Sequence, residues 1–277
     1  MSMKTILGNI RKLVCELKEP VEYALPIAHE LIPLNAALSR TISLQFLGEI
    51  HCIQCARKTT KSFHQGYCFP CYRYLLECNL CSIHPEKCRF YEGNCAHDHW
   101  AHAHCGQPHV IYLANSSGLK VGITRATHVP MRWIDQGASQ GLVIMQVQNR
   151  YQSGMVEVAL KRFVADKTHW QRMLKSLSSE MDLRAKRDEL FSQSEQAIDE
   201  IIKQFASHEI QRVTDAEVMA IQYPILESPE KIKSWDLSKT PRVEGTLLGI
   251  KGQYLILDTG VINIRKFGGY KIEFNIQ

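Results

Sequence analysis

Two cysteine pairs constrain this chain more than any other feature. Cys52-Ile53-Gln54-Cys55 and Cys68-Phe69-Pro70-Cys71 form a C-x2-C-x12-C-x2-C set. Two residues between thiols let both sulfurs reach one ion, and nearby backbone N–H groups stabilise the thiolates. Two such knuckles supply four sulfurs in a tetrahedron, the arrangement of structural Zn2+ sites. All four positions are filled, so no open position remains for catalysis. Redox chemistry and buried free thiols are the other readings of the same residues.

Every cysteine except Cys15 lies between Ile50 and Gly106. That block has few aliphatic residues, so a metal has to replace its core. Five more thiols follow the first set: Cys78, Cys81, Cys88, Cys95 and Cys105. A second all-thiolate site would use four of them. Spacing does not choose which, although Cys78-Asn79-Leu80-Cys81 is a third knuckle and the better chelating pair. His97, His99, His102 and His104 crowd the same stretch and are candidates to replace a sulfur. One zinc with free cysteines and exposed histidines is the alternative, so one or two structural zinc ions are expected.

In a reducing compartment thiols stay free, so the clustered cysteines read as metal ligands and not as disulfides. The segment from Met1 to Val14 has no long apolar run, and no stretch approaches the ~18 apolar residues of a membrane span. A soluble cytoplasmic protein with no membrane partner is the expectation. The chain has 277 residues, 45% of them hydrophobic, enough for one large domain or two to three small ones. Its 33 Lys and Arg against 28 Asp and Glu give a net charge of +5. Such an excess permits a nucleic-acid partner without demanding one. The basic run Arg57-Lys58-Thr59-Thr60-Lys61 joins the two knuckles. Lys58 and Lys61 are candidate phosphate contacts there, with a solvated zinc loop as the alternative.

Four blocks are predicted: a β segment (1–49), the cysteine-rich module (50–106), an α/β core with long helices (107–208) and a β module (209–277). In the first, Leu13, Cys15 and Leu17, and again Ile42, Leu44 and Phe46, alternate with polar neighbours as strands with one buried face do. In the third, apolar runs His109 to Ala114 and Leu119 to Thr124 flank Asn115-Ser116-Ser117-Gly118, a hairpin pattern. Pro130 suits the first turn of a helix through Arg132 and Trp133. A second helix is predicted over Met155 to Phe163, and a long charged one from Thr168 to about Phe205 with a solvated face. The last block returns to glycine-punctuated strands around Leu247, Leu255, Ile256, Val261, Ile262 and Ile264, a small antiparallel barrel or sheet. The first block is expected to pair with it and bring the chain ends into one module.

His109-Val110-Ile111-Tyr112, then Lys120-Val121-Gly122-Ile123-Thr124, then Arg132 and Glu157, resemble the GIY-YIG endonuclease superfamily in shortened form. That superfamily has two strands bearing the named triplets, a helix bearing an arginine and a later helix bearing a glutamate. Val110-Ile111-Tyr112 stands where Gly-Ile-Tyr is expected and Lys120-Val121-Gly122 where Tyr-Ile-Gly is expected, so Val110 replaces the first glycine and Lys120 the second tyrosine. This likeness covers about 107 to 170. Nearly the whole chain is also similar to a bacterial family of unknown function. The stretches that carry this are 112–125, Arg132-Trp133-Ile134-Asp135-Gln136-Gly137-Ala138, Gly249-Ile250-Lys251-Gly252-Gln253-Tyr254 and Gly268-Gly269-Tyr270.

The nuclease resemblance implies metal-assisted phosphodiester hydrolysis. Tyr112 would relay a proton from the attacking water, and Glu157 would hold Mg2+ or Mn2+ against the phosphate. Arg132 would stabilise developing charge, and Lys120 would stand in for the missing tyrosine as donor or cation. Arg125 joins Lys58 and Lys61 as a candidate nucleic-acid contact. A core tyrosine, a surface arginine and a first-turn glutamate are the plain alternatives. The expected fold is α+β: a zinc-binding module, a small GIY-YIG-like mixed sheet with helices, and an antiparallel β module from the chain ends. Nucleic-acid processing by hydrolysis leads. A zinc-bearing nucleic-acid-binding protein without activity and a protein-interaction scaffold are the alternatives.

Overall fold

A computed structural model describes residues 4–95, 98–165, 167–175, 180–229 and 232–277. The strands run in chain order as β1 (Lys4–Asn9), β2 (Val14–Glu16), β3 (Glu22–Ile27), β4 (Glu30–Pro33), β5 (Thr41–His51) and β6 (Lys58–Thr59). Then come β7 (His109–Asn115), β8 (Leu119–Arg125), β9 (Gln140–Val147), β10 (Ile210–Arg212) and β11 (Met219–Ala220). The last four are β12 (Arg242–Lys251), β13 (Tyr254–Leu257), β14 (Gly260–Asn263) and β15 (Tyr270–Ile276). The helices are α1 (Phe69–Tyr74), α2 (Leu80–Ile83), α3 (Asp98–His104), α4 (Met131–Asp135), α5 (Arg150–Leu160), α6 (Trp170–Lys175) and α7 (Leu183–Ile202). Two compact units divide the chain: Met1–Cys78 with Leu174–Leu177 and Ile221–Gln277, and Asn79–Met173 with Ser178–Ala220.

The first unit carries a seven-stranded sheet of order β1-β15-β5-β12-β13-β14, with β6 beside β5. Its first and last strands pair antiparallel, Lys4 opposite Ile276 and Asn9 opposite Lys271, so the chain ends do join one module. Period-two alternation explains why. Ile272 and Phe274 of β15 are fully buried between more exposed neighbours, and Ile42 and Leu44 of β5 are fully buried with the small polar Ser43 between them, also buried. Pairing satisfies the edge N–H and C=O groups of each strand and lines their apolar side chains up on one face. A three-stranded sheet, β2-β3-β4, completes the unit.

The expected strand through Leu13, Cys15 and Leu17 shrinks to the three residues of β2, and Leu17 is exposed. Leu13 is buried, but a side chain satisfies its backbone instead of a ladder. The Leu13 N–H donates to Gln253 Oε1 at 2.8 Å, and Gln253 Nε2 donates to the Leu13 carbonyl at 3.1 Å. Gln253 is itself buried and sits in the hairpin between β12 and β13. Gln253→Leu keeps volume but orphans a buried N–H and a buried carbonyl. It should cost about 2–4 kcal/mol in chemical denaturation, against under ~0.5 kcal/mol for a surface change such as Lys12→Gln.

The second unit carries a five-stranded sheet of order β10-β9-β7-β8, with β11 beside β9. All its strand pairs are antiparallel, which corrects the expected mixed sheet. The reason is placement. The hairpin at 115–118 puts β8 on one side of β7, and the segment containing α4 carries the chain to the other side. β8 and β9 therefore run parallel to each other without being neighbours. Ile111, Leu113 and Val121 point to one face, where Val156 and Leu160 of α5 and Leu190 and Ile198 of α7 close the core. Trp133 of α4 lies against Tyr112 on the other, with ring centroids 5.8 Å apart. Covered on both faces, β7 is buried along its whole length.

Two helix expectations change. The helix predicted from Met155 starts at Arg150, because Asn149 and Gln152 form a reciprocal capping box that adds a turn. The long helix predicted from Thr168 is two helices, α6 and α7, and Ser176–Ser179 lie outside the described residues. Asp182 starts α7 by accepting from the Ala185 N–H at 2.9 Å. Its charged face is not wholly solvated: buried Arg187 donates to the Thr214 carbonyl at 2.7 Å and to Asp188 at 2.8 Å.

Candidate functional site

The first knuckle follows directly from β5, which ends at His51. The Cys52 N–H donates to the Arg57 carbonyl and the Ala56 N–H to the Cys52 carbonyl, each at 2.9 Å, so the chain reverses around Cys52 and Cys55. Ala56 pays for this reversal with a left-handed φ of 57°. The second knuckle opens α1, with Cys68 at its N-cap and Pro70 in its first turn. The four sulfurs of Cys52, Cys55, Cys68 and Cys71 all lie within 4.8 Å of one another, and Cys55 and Cys68 are 3.7 Å apart. Four thiolates bound at ~2.3 Å around a tetrahedral ion stand about 3.8 Å apart, so the protein holds them at ligand spacing.

The charges agree with the geometry. Burial opposes ionisation of Cys52, yet hydrogen bonds from the backbone of Cys55, Cys68 and Gln54 and from the Cys55 side chain hold its thiol at about 6, down from 9.0. Cys71 moves the other way: burial raises it, as do its hydrogen bonds to the other three sulfurs. One thiolate is favoured and the next is repelled, so the full set ionises only with a cation among the sulfurs. Zn2+ fits this donor set.

Of the later cysteines, Cys78 belongs to the first unit, where burial, Glu77 and Cys52 raise its thiol. Cys81, Cys88, Cys95 and Cys105 belong to the second. His97 lies outside the described residues. His99 is exposed. His102 packs edge-on against Phe90, and His104 stacks on Trp100 at 4.0 Å while its Nδ1 bonds the Trp100 carbonyl.

Tyr112, Arg132 and Glu157 come from β7, α4 and α5; Arg132 adjoins the Tyr112 hydroxyl, and the Glu157 carboxylate lies within electrostatic reach of it. Gly122 stands opposite Tyr112 on β8. A Cβ there would lie 2.7 Å from the Tyr112 hydroxyl, so only glycine lets the ring lie across the neighbouring strand. The hydroxyl donates to Gln136 Oε1 at 3.1 Å. Gln136 stands four residues after Arg132, one helical turn along the same face. Burial pushes the phenol above its usual 10, the adjacent Arg132 guanidinium pulls it down by charge and hydrogen bond, and the Glu157 carboxylate adds to the rise. Tyr112 is 0% exposed and Glu157 8%, while Arg132 is half-buried. Glu157 pairs with Lys161 at 3.3 Å, one turn along α5. Lys120 shares the sheet face of Tyr112 but is buried, and its ammonium reaches the Thr168 hydroxyl at 3.4 Å.

The three basic candidates are engaged locally. Lys58 pairs with Glu49 at 2.6 Å, and Lys58 and Lys271 together hold that carboxyl at about 2. Lys61 lies over the Phe63 ring at 5.3 Å, and Arg125 donates to His128 Nε2 at 2.7 Å. Sequence reasoning missed what surrounds Lys61. Phe63 contacts Phe69 and stacks on Tyr72, Arg73 lies over Phe69 at 5.9 Å, and Phe69, Tyr72 and Tyr74 are exposed. The signal was legible, since aromatic and basic residues alternate from Lys61 to Tyr74. Gln136 was also missed, and its spacing from Arg132 was the available clue.

Fold and site define an α+β protein with several antiparallel sheets and a four-thiolate centre that can hold zinc. Among the described residues, no helix is long and apolar enough to cross a membrane. The chain belongs to the family described as protein of unknown function (DUF2797), whose model matches residues 39–272. No curated protein and no solved structure matches it.

Proposed function

We propose that this protein cleaves phosphodiester bonds in nucleic acid at Tyr112, Arg132 and Glu157, on a GIY-YIG-like sheet, and that the chain also carries a structural zinc module. One observation carries the reading. The Tyr112 hydroxyl, held by Gln136, feels both the Arg132 guanidinium and the Glu157 carboxylate, which come from two separate helices, in the chain order the resemblance implies. The β7–β8 hairpin, α4 and α5 follow one another in that order along the chain, which supports the reading.

Phosphodiester hydrolysis needs an activated water, neutralised phosphate charge and a stabilised leaving oxygen. Arg132, the most exposed of the three, offers a planar fork that matches phosphate oxygens. Glu157 is the carboxylate to hold Mg2+ or Mn2+, which supplies positive charge against the phosphate. Tyr112 relays a proton through its hydroxyl, with Gln136 fixing the orientation. The test is incubation of the full chain with end-labelled single- and double-stranded DNA and RNA in Mg2+ or Mn2+. Products that disappear with chelator are expected. Intact substrates under every condition would leave the binding reading in front.

That second reading, a nucleic-acid-binding protein without cleavage, is favoured by two observations. The Tyr112 hydroxyl is fully buried, and the exposed aromatic and basic residues around Phe69 suit stacking on unpaired bases. Replacing Tyr72 and Tyr74 together by alanine should weaken single-stranded binding by ~1–3 kcal/mol for each base lost from the stack. The remaining affinity should fall steeply with salt. Anisotropy titrations at low and moderate salt measure both. Unchanged affinity in the double variant removes this surface from the account.

A further inference from the structure

We propose that Cys81, Cys88, Cys95 and Cys105 hold a second zinc ion, separate from the first, and that Cys78 is not among its ligands. The sequence alone left five thiols for four places. The structure separates them, because Cys78 belongs to the first unit and the other four to the second. Their spacing is C-x6-C-x6-C-x9-C, with no knuckle among them. The knuckle Cys78–Cys81 that looked the better chelating pair is thus divided between two sites' surroundings.

Packing gathers the four thiols into one small region. The buried residues of the small cluster in this stretch are Cys88, Ala101 and Cys105, with Phe90, Cys95, Trp100 and Tyr151 packed against them. Thiols stand where a domain of this size would need Leu or Ile, and a stretch of under ~40 residues without an aliphatic core requires a metal or cross-link to hold together. Cys88 and Cys105 are buried in the same cluster with Cys95 against them, and Cys81 lies within electrostatic reach of all three.

Arg150, the first residue of α5, ties the ends of the stretch together. Its N–H donates to the Cys105 carbonyl at 2.8 Å, and its guanidinium donates to the carbonyls of Ser82 at 2.7 Å and Cys81 at 3.5 Å. The middle is pinned too. A Cβ on Gly154 would lie 2.3 Å from the Glu86 backbone, so α5 packs directly on the turn before Cys88. Phe90 fills the space beside Gly106, next to Cys105. Arg150 also supplies positive charge beside the thiols, as a zinc bound by four thiolates, with net charge of about −2, calls for.

This set is looser than the first. Among the described residues, only Cys52, Cys55, Cys68 and Cys71 form a group of three or more ligand atoms within 4.8 Å of one another, so no three of the later thiols stand that close. Ligation would draw Cys81 and Cys95 toward the Cys88–Cys105 pair and release their thiol protons to solvent, with no redox change. A Cys88–Cys105 disulfide is the competing outcome, because those two are the buried thiols of the cluster.

The test counts metal in the full-length chain purified in reducing buffer. Zinc is measured by elemental analysis, and its release by mercurial titration with a colorimetric zinc indicator. Two zinc ions per chain are expected in the wild type and in Cys78→Ser, and one in Cys88→Ser. Refilling Cys52→Ser with Co2+ should give sulfur-to-cobalt charge-transfer bands and intense tetrahedral d–d bands from the remaining site. A wild type with one zinc, a Cys78→Ser variant that loses an ion, or a Cys88–Cys105 disulfide in peptide mapping would each overturn the assignment. If Cys88→Ser does not fold, the wild-type count and Cys78→Ser still decide it.

Discussion

Cys52→Ser is expected to release the first zinc and unfold the chain from Cys52 to about Tyr74. The segment has little else to hold it. None of the residues of α1 is buried, and β6 contributes two residues. Structural zinc binding is worth an apparent ~10–16 kcal/mol at neutral pH, far more than this packing supplies. Serine keeps the size of cysteine but does not ionise at neutral pH, so the loss is of a ligand and not of volume. Elemental analysis should find at least one zinc in the wild type and one fewer in the variant. Limited proteolysis should show new cleavage confined to this segment, with the sheet from β5, β12 and β15 still protected. Metal-free wild-type protein with unchanged thermal stability would exclude the structural role.

Glu157→Gln is expected to abolish cleavage while leaving nucleic-acid affinity near wild type. The amide is isosteric, keeps the helix and removes only the charge that would hold Mg2+ or Mn2+. Arg132→Ala should lower the cleavage rate by about 10²–10³ with affinity nearly unchanged, if its guanidinium acts on charge that develops in the transition state. A fall in affinity with the rate constant retained would instead mark Arg132 as a ground-state phosphate contact. Gly122→Ala probes the same cluster from the strand. The new methyl would meet the Tyr112 hydroxyl, so the ring must tilt and leave Gln136 and Arg132. Cleavage should fall with it, and a rate unchanged in Gly122→Ala would show that the placement of Tyr112 is immaterial. If single-turnover rates of all three variants equal the wild type, the activity does not belong to this cluster.

The readings that succeeded from sequence depended on short-range chemistry. Two knuckles twelve residues apart define a four-sulfur set because chelation needs only loops of the right length. The hairpin at 115–118 was legible because turn residues sit between two apolar runs. The helix starting at Arg150 was misplaced because Asn149 and Gln152 act through hydrogen bonds that hydrophobic periodicity does not register.

What the sequence determined by itself is therefore local: the first thiolate set, the strand-rich ends, the turn between β7 and β8, and the candidate residues Tyr112, Arg132 and Glu157. What only the tertiary structure decided is which distant groups meet. It pairs β1 with β15 and gives Gln253 the task of satisfying Leu13. It lays Tyr112 across Gly122 beside Arg132 and Gln136, and it parts Cys78 from the other late cysteines. For the last three the physical reason is the same. Thiols, amides and phenols carry no periodic signal, and their partners are chosen by the packing of strands and helices from opposite parts of the chain.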